Sequence, residues 1–312
     1  MICALACPLS LGQKAASAIE TTNRPCYNER NTLKQNRSET GVMTLMFRKK
    51  IGKEHTIVKT PFECKRERLT VRGTEYRPKG ANLPIAIVCH GFMAFQATVS
   101  QYAAALAEMG YVTYTFDFCG GCAINGKSDG LTTEMSVLTE AKDLESVLDY
   151  AASRSYANPN HIVVMGCSQG GFVSALVAAK ERYKIKKLIL FYPAFCIPDD
   201  AHAGKMLFAK FDPNHLPEVI RCGPMKLGKR YVEDAMKIDP FQAIKGYQND
   251  VLIVHGANDK IVALHYSEKA YRLYQAAIPH GTVQMEIIPN GGHGFSKKSD
   301  KIAVERIRAF LA

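Results

Sequence analysis

The sequence predicts an α/β fold, a mostly parallel central sheet flanked by helices, and three observations predict it. Short apolar runs alternate with amphipathic stretches from about residue 55 onward; several runs are apolar at nearly every position; and one run leads through a glycine-flanked serine into a small-residue helix. Composition agrees. The 312 residues are 47% hydrophobic and 22% charged, which supplies a large core and excludes disordered, collagen-like and small disulfide-stapled chains.

Residues 85–88, 112–116, 162–165, 188–192 and 251–254 are the strand candidates, and their mostly continuous apolar character suits parallel strands covered on both faces. Between them, residues 134–152 carry Val137, Ala141, Leu144, Leu148 and Ala151 at spacings of four and three, one buried stripe of a helix. Asn158, Pro159 and Asn160 read as the turn that follows. Residues 172–180 predict the small-residue helix. Val283, Met285 and Ile287 alternate with Gln284 and Glu286, as in a half-exposed strand near a sheet edge, and residues 301–311 read as a closing helix.

The net charge of +11 invites a nucleic-acid reading, so its location matters. Residues 1–80 carry 16 Lys/Arg against 7 Asp/Glu, whereas residues 81–312 carry 24 against 22. The excess follows no helical stripe, and residues 1–50 read as a basic, disordered tail before one α/β domain over residues 51–312, with no nucleic-acid partner expected. Met43 or Met46 is a candidate natural start. The opening apolar stretch is short and lacks the basic segment of a secretory leader. No apolar run approaches the ~18 residues of a membrane span.

Ten cysteines are scattered, and Cys89 and Cys167 lie in apolar runs, which fits a reducing cytoplasm. Cys119 and Cys122 have redox or half-zinc spacing, but no second pair completes a four-ligand site, so neither metal nor cofactor is expected.

The decisive segment is Gly166-Cys167-Ser168-Gln169-Gly170 between a strand and a helix. A tight strand-to-helix turn lifts the Ser168 hydroxyl clear of the sheet, and it needs glycine at 166 and 170 because strand and helix cross too closely for side chains. A serine hydroxyl is a weak nucleophile at neutral pH; it requires a base, and the base a carboxylate that orients it. Asp259 lies just beyond the apolar run 251–254, and His293 just beyond the run 283–288, so all three fall at the carboxyl edge of the sheet. Asp199 and Asp200 stand as the alternative acid. His90 and His255 read as structural members of His-Gly turns, and His161, His202, His215, His265 and His280 as surface residues.

With the order Ser, Asp, His, the chain from about residue 65 resembles the α/β-hydrolase superfamily of serine hydrolases. Two backbone amides then become the expected oxyanion donors: Gln169 N–H, after the nucleophile, and Phe92 N–H, because His90-Gly91-Phe92 resembles the family's oxyanion loop. Phe116-Asp117-Phe118, Ser128-Asp129-Gly130 and Thr133-Glu134-Met135-Ser136 resemble the loop and helix after the fourth strand of bacterial feruloyl and cinnamoyl esterases. Tyr192-Pro193-Ala194-Phe195 extends the likeness loosely.

Residues 121–128 match the phosphate-loop pattern G-x-x-x-x-G-K-[ST] letter for letter. That chemistry needs Lys127 and Ser128 to open a helix, and Asp129-Gly130 follows at once. The glycines read instead as loop punctuation. Residues 193–249 form an insertion after the sixth strand, far longer than the usual ~2–6-residue connection, and are expected to fold over Ser168 as a cap. Met206, Leu207, Phe208, Phe211, Met225, Leu227 and Tyr231 give it apolar and aromatic content. The expected function is hydrolysis of small acyl or hydroxycinnamoyl esters, the substrate class resting on the resemblance; thioester or peptide cleavage, and a non-catalytic binding module, are the alternatives.

Overall fold

The computed structural model describes residues 56–312; the expectations for the basic tail and its start lie outside the described residues. An eight-stranded sheet organises them. In chain order its strands are β1 (Val58–Arg66), β2 (Leu69–Arg77), β3 (Leu83–Cys89), β4 (Val112–Phe116), β5 (Ala157–Cys167) and β6 (Ile185–Phe191). Four short strands, β7 (Lys205–Met206), β8 (Ala209–Lys210), β9 (Val219–Cys222) and β10 (Met225–Gly228), form two separate hairpins, and β11 (Asp250–Gly256) and β12 (Val283–Ile288) complete the sheet. The spatial order is β1-β2-β4-β3-β5-β6-β11-β12. From β4 to β12 all neighbours are parallel, while β1 with β2 and β2 with β4 are antiparallel.

The helices are α1 (Ser100–Glu108), α2 (Val137–Ala152), α3 (Gln169–Ala178), α4 (Ile197–His202), α5 (Lys229–Met236), α6 (Pro240–Ala243), α7 (Leu264–Ala277) and α8 (Lys297–Leu311). Alternate side chains of β3 enter opposite faces of the sheet, as the two-residue strand period requires. Ile85, Ile87 and Cys89 join the core beneath α2 and α3, and Ala86 and Val88 join the core beneath α1 and α8. All of β4 is buried, Thr113 and Thr115 included, so its alternation of threonine with apolar residues marks no exposed face.

Helix α2 buries the whole expected stripe but begins at Val137 rather than Glu134. Ser136 caps it: its hydroxyl accepts from Thr139 N–H while the Thr139 hydroxyl accepts from Ser136 N–H. Helix α8 starts at Lys297, four residues before the expected position, because Ser296 accepts from Ser299 N–H and fixes the start there. Asn158, Pro159 and Asn160 are already the irregular first residues of β5, where the register against β3 shifts. Among the described residues no helix is long and apolar enough to cross a membrane.

Candidate active site

Strand β5 ends at Cys167, and α3 begins at Gln169. Ser168, between them, has a backbone φ of +55°, a sharp conformation that L-residues rarely adopt and that projects its side chain away from both elements. The crossing is as close as such a turn demands. A Cβ on Gly166 would lie 2.2 Å from the Gly170 carbonyl oxygen, and one on Gly170 would lie 2.2 Å from that of His90.

Asp259 follows β11 and His293 follows β12, and these parallel neighbours deliver the two side chains to one edge. Three side chains distant in sequence meet there. The Ser168 hydroxyl lies 2.9 Å from His293 Nε2, and His293 Nδ1 lies 2.8 Å from Asp259 Oδ2. An ionised carboxylate only accepts, so Nδ1 carries the imidazole proton and donates it, leaving the Nε2 lone pair for the serine. Burial pushes the Asp259 carboxyl up, but hydrogen bonds from His255, His293 and Val262 N–H outweigh burial and hold it well below the usual carboxylate range. Tyr192, just beyond β6, packs against the imidazole with ring centroids 4.7 Å apart.

His255 contributes here although the sequence suggested only a turn. It is fully buried; its Nε2–H donates to the Val262 carbonyl at 3.0 Å and lies 3.2 Å from Asp259 Oδ2, while its Nδ1 accepts from the Ser267 hydroxyl at 2.7 Å. The signal was present as a histidine four residues before the acid. His90 is structural: its Nδ1–H donates to the Gly91 carbonyl and its Nε2 accepts from Phe118 N–H. The five remaining described histidines outside this cluster, 161, 202, 215, 265 and 280, are exposed. The alternative acids are occupied elsewhere, Asp199 by the Tyr266 hydroxyl and Asp200 by Lys205, at 2.7 and 3.1 Å.

Gln169 opens α3, so its N–H has no partner within the helix. The loop carrying Phe92 passes beside the serine, since a Cβ on Gly91 would be 3.0 Å from Ser168 Cβ. Among the described residues neither the Phe92 nor the Gln169 N–H is used in a loop or side-chain hydrogen bond. A cavity of about 450 Å³ opens above Ser168 and His293. Its walls include Phe92, Cys196 and Ile197, and from residues 205–231 also Met206, Leu207, Phe208 and Tyr231.

The phosphate-loop match is spent on folding. No helix opens at Lys127 and Ser128; the Ser128 hydroxyl accepts from Arg72 N–H and donates to the Asp117 carbonyl, while Lys127 N–H donates to the Asp117 carboxylate. Cys119 and Cys122 are free thiols, both pushed far up by burial. His90, Asp117 and Cys122 bring potential ligand atoms within 4.8 Å of one another. A cation there would displace existing bonds: Phe118 N–H on His90, and Gln96 and Lys127 N–H on Asp117.

Known proteins resemble this chain. Est1E of Butyrivibrio proteoclasticus, in a structure with ferulic acid bound, superposes with a TM-score of 0.72 at 28% identity, over 80% of this chain and 97% of that one. An esterase of Pyrococcus furiosus matches with a TM-score of 0.60 at 18% identity, over 82% of this chain and 92% of the other, and shows the fold alone. Among curated proteins, an uncharacterized 31.7 kDa protein of Escherichia coli is 29% identical over 124 residues, which is 39% of this chain and 41% of that protein. An uncharacterized protein of Acanthamoeba polyphaga mimivirus is 26% identical over 174 residues, or 54% of each chain. The chain thus spans about half or less of the length of these curated relatives. A family model, the prolyl oligopeptidase family, matches residues 97–312, a stretch that runs from α1 to the C-terminus and includes the serine turn and both strand ends facing it. The chain therefore belongs to the prolyl oligopeptidase family and has the α/β-hydrolase fold.

Proposed function

We propose that the chain is a serine hydrolase that cleaves carboxylic esters through an acyl-enzyme, with Ser168 as nucleophile, His293 as base and Asp259 as its orienting acid. The observation that carries this reading is the unbroken hydrogen-bond chain from Ser168 through His293 to Asp259 at the floor of an apolar cavity. Ser168 attacks the ester carbonyl as His293 takes its proton; the negative oxygen is held by the Phe92 and Gln169 amides. His293 returns the proton to the departing alcohol. Water, activated by the same imidazole, then attacks the acyl carbonyl, and the acid leaves with Ser168 restored. No step calls for a cofactor.

Residues 193–249 act as the cap that selects the acyl group. Of the nine residues they supply to the cavity, seven are apolar or aromatic and two, Asp200 and Lys205, are an ion pair, and the volume suits a small acyl or aryl group. The ferulic acid seen with Est1E supports a hydroxycinnamoyl ester as the first class to try. Membership of a family named for oligopeptidases favours a second reading, amide cleavage by the same groups. The unpaired thiols of the seven described cysteines suit a reducing, cytoplasmic location.

The test is a panel of aryl esters, acyl-CoA thioesters and aminoacyl anilides, run on the wild type and Ser168→Ala. The alanine variant is expected to lose at least ~10³-fold in kcat/KM on the preferred class with an unchanged melting temperature. Near-native rates in the variant would refute Ser168 as nucleophile, and a wild type that neither labels with a fluorophosphonate at Ser168 nor turns over any class would leave a binding module.

A further inference from the structure

We propose that Glu140 is a positioning residue for the oxyanion donor Gln169, holding its side-chain amide while Tyr231 ties that amide to the cap; the inference rests on the serine-hydrolase reading above. The three side chains come from separate elements, α2, α3 and α5, and are each at most 1% exposed. Gln169 Nε2–H donates to Glu140 Oε2 at 2.8 Å, and the Tyr231 hydroxyl donates to Gln169 Oε1. The amide is therefore held at both ends, and with it the residue whose backbone N–H faces the reacting oxygen. Tyr231 also lines the cavity, so the cap and the donor share one hydrogen-bonded chain.

Among the described residues no cation pairs with Glu140. Burial pushes its carboxyl up to about 8, so it is a neutral acid at pH 7. The groups that face it keep their charge through the window above neutrality. Asp143, on the same helix, is raised by burial to about 6 and is already ionised, paired with Arg66 of β1 at 2.6 Å. Cys89 of β3, Cys119 and Cys122 after β4, and Tyr231 of α5 are all driven far up by burial, and His90 beside Cys122 is held down and neutral. Asp200 and Lys205, beyond Tyr231, are paired with each other. Loss of the Glu140 proton thus places a new buried negative charge against the residue that must stabilise an oxyanion, and the reaction slows as pH rises through about 8.

The experiment measures the rate at which a fluorophosphonate labels Ser168 from about pH 6 to pH 10 in the wild type, Glu140→Gln and Glu140→Leu. The label joins through a new Ser168 O–P bond as fluoride leaves and His293 takes the proton, so it loads the same donors whatever the natural substrate. Glu140→Gln keeps an acceptor for Gln169 and is neutral at every pH. It should label within ~3-fold of wild type at pH 7 and hold that rate at high pH, where the wild type falls ~10-fold or more. Glu140→Leu leaves Gln169 Nε2 unpaired and should be slow but equally flat. An alkaline fall that persists in either folded variant, or a wild type without one, overturns the role of Glu140 while leaving the hydrolase standing. A wild type that never labels at Ser168 overturns both.

Discussion

Replacing Asp259 by Asn tests the proposed proton relay most directly, because the structure dictates how an amide must sit there. Asp259 Oδ1 accepts from Ile261 N–H at 2.8 Å and from Val262 N–H at 2.9 Å, while Oδ2 faces His293 Nδ1 and His255 Nε2. An asparagine has one acceptor oxygen for these two positions. Turning its NH₂ toward the loop would oppose two backbone donors, and each unpaired N–H costs about 1–3 kcal/mol, so the oxygen stays with the loop and the NH₂ faces the imidazoles. His293 Nδ1 must then accept, which moves the ring proton to Nε2, where it opposes the Ser168 hydroxyl. The base is lost although every heavy atom stays in place. A wrong tautomer of this kind costs ~10⁴ in kcat, or about 5.5 kcal/mol of barrier. Steady-state hydrolysis of an aryl ester, with a thermal melt of each protein, makes the measurement, and Asp199→Asn serves as control, expected within ~2-fold of wild type because that exposed carboxylate bonds only the Tyr266 hydroxyl, from which an amide oxygen can also accept. A rate for Asp259→Asn within tenfold of wild type would show that His293 is not held by this acid.

Two further outcomes concern stability. Gly170→Ala places its methyl 2.2 Å from the His90 oxygen and 2.8 Å from that of Cys89, both backbone atoms of a central strand and its end, so it should destabilise by at least ~3 kcal/mol and show as a large drop in melting temperature. Glu140 has a folded pKa of about 8, above its unfolded value near 4.5; its contribution is fully present below about pH 4.5 and is lost as pH rises to about 8. Denaturant titrations should therefore find Glu140→Gln gaining on the wild type across that window by several kcal/mol, with the difference level above it. A gap that does not change with pH would mean the carboxyl is ionised in the folded protein.

The central strands and the serine turn were legible because burial on both faces leaves little freedom in composition: β6 and β11 are nearly all apolar where the sheet is covered. The β1–β2 hairpin was not foreseen. β1 is largely exposed and both strands are rich in Lys, Arg and Glu, while the turn between them places Glu67, not glycine or asparagine, at φ +56°. The ring of polar support around the candidate site was hidden for a different reason. His255, Glu140 and Tyr231 are chemically ordinary in sequence, and each matters through a partner on another element. No local pattern reports that Gln169 is clamped between α2 and α5.

The proposed acid depends on how the fold disposes carboxylates that sequence order leaves as alternatives. Strand β6 lies between β5, which carries Ser168, and β11, which precedes Asp259. Strands are spaced ~4.8 Å apart, so serine and acid stand about two strand widths from each other, a gap that one imidazole with a hydrogen bond at each end can bridge. Asp199 and Asp200, following β6, start one strand nearer. At the end of β6, however, the chain first places Tyr192 against the face of the His293 ring, and α4 then carries the two carboxylates on to Tyr266 and Lys205. The strand that could have supplied the acid instead supplies the surface on which the proposed base rests. Asp259, gripped by two loop amides and by His255, is left as the carboxylate fixed in the plane that Nδ1 needs.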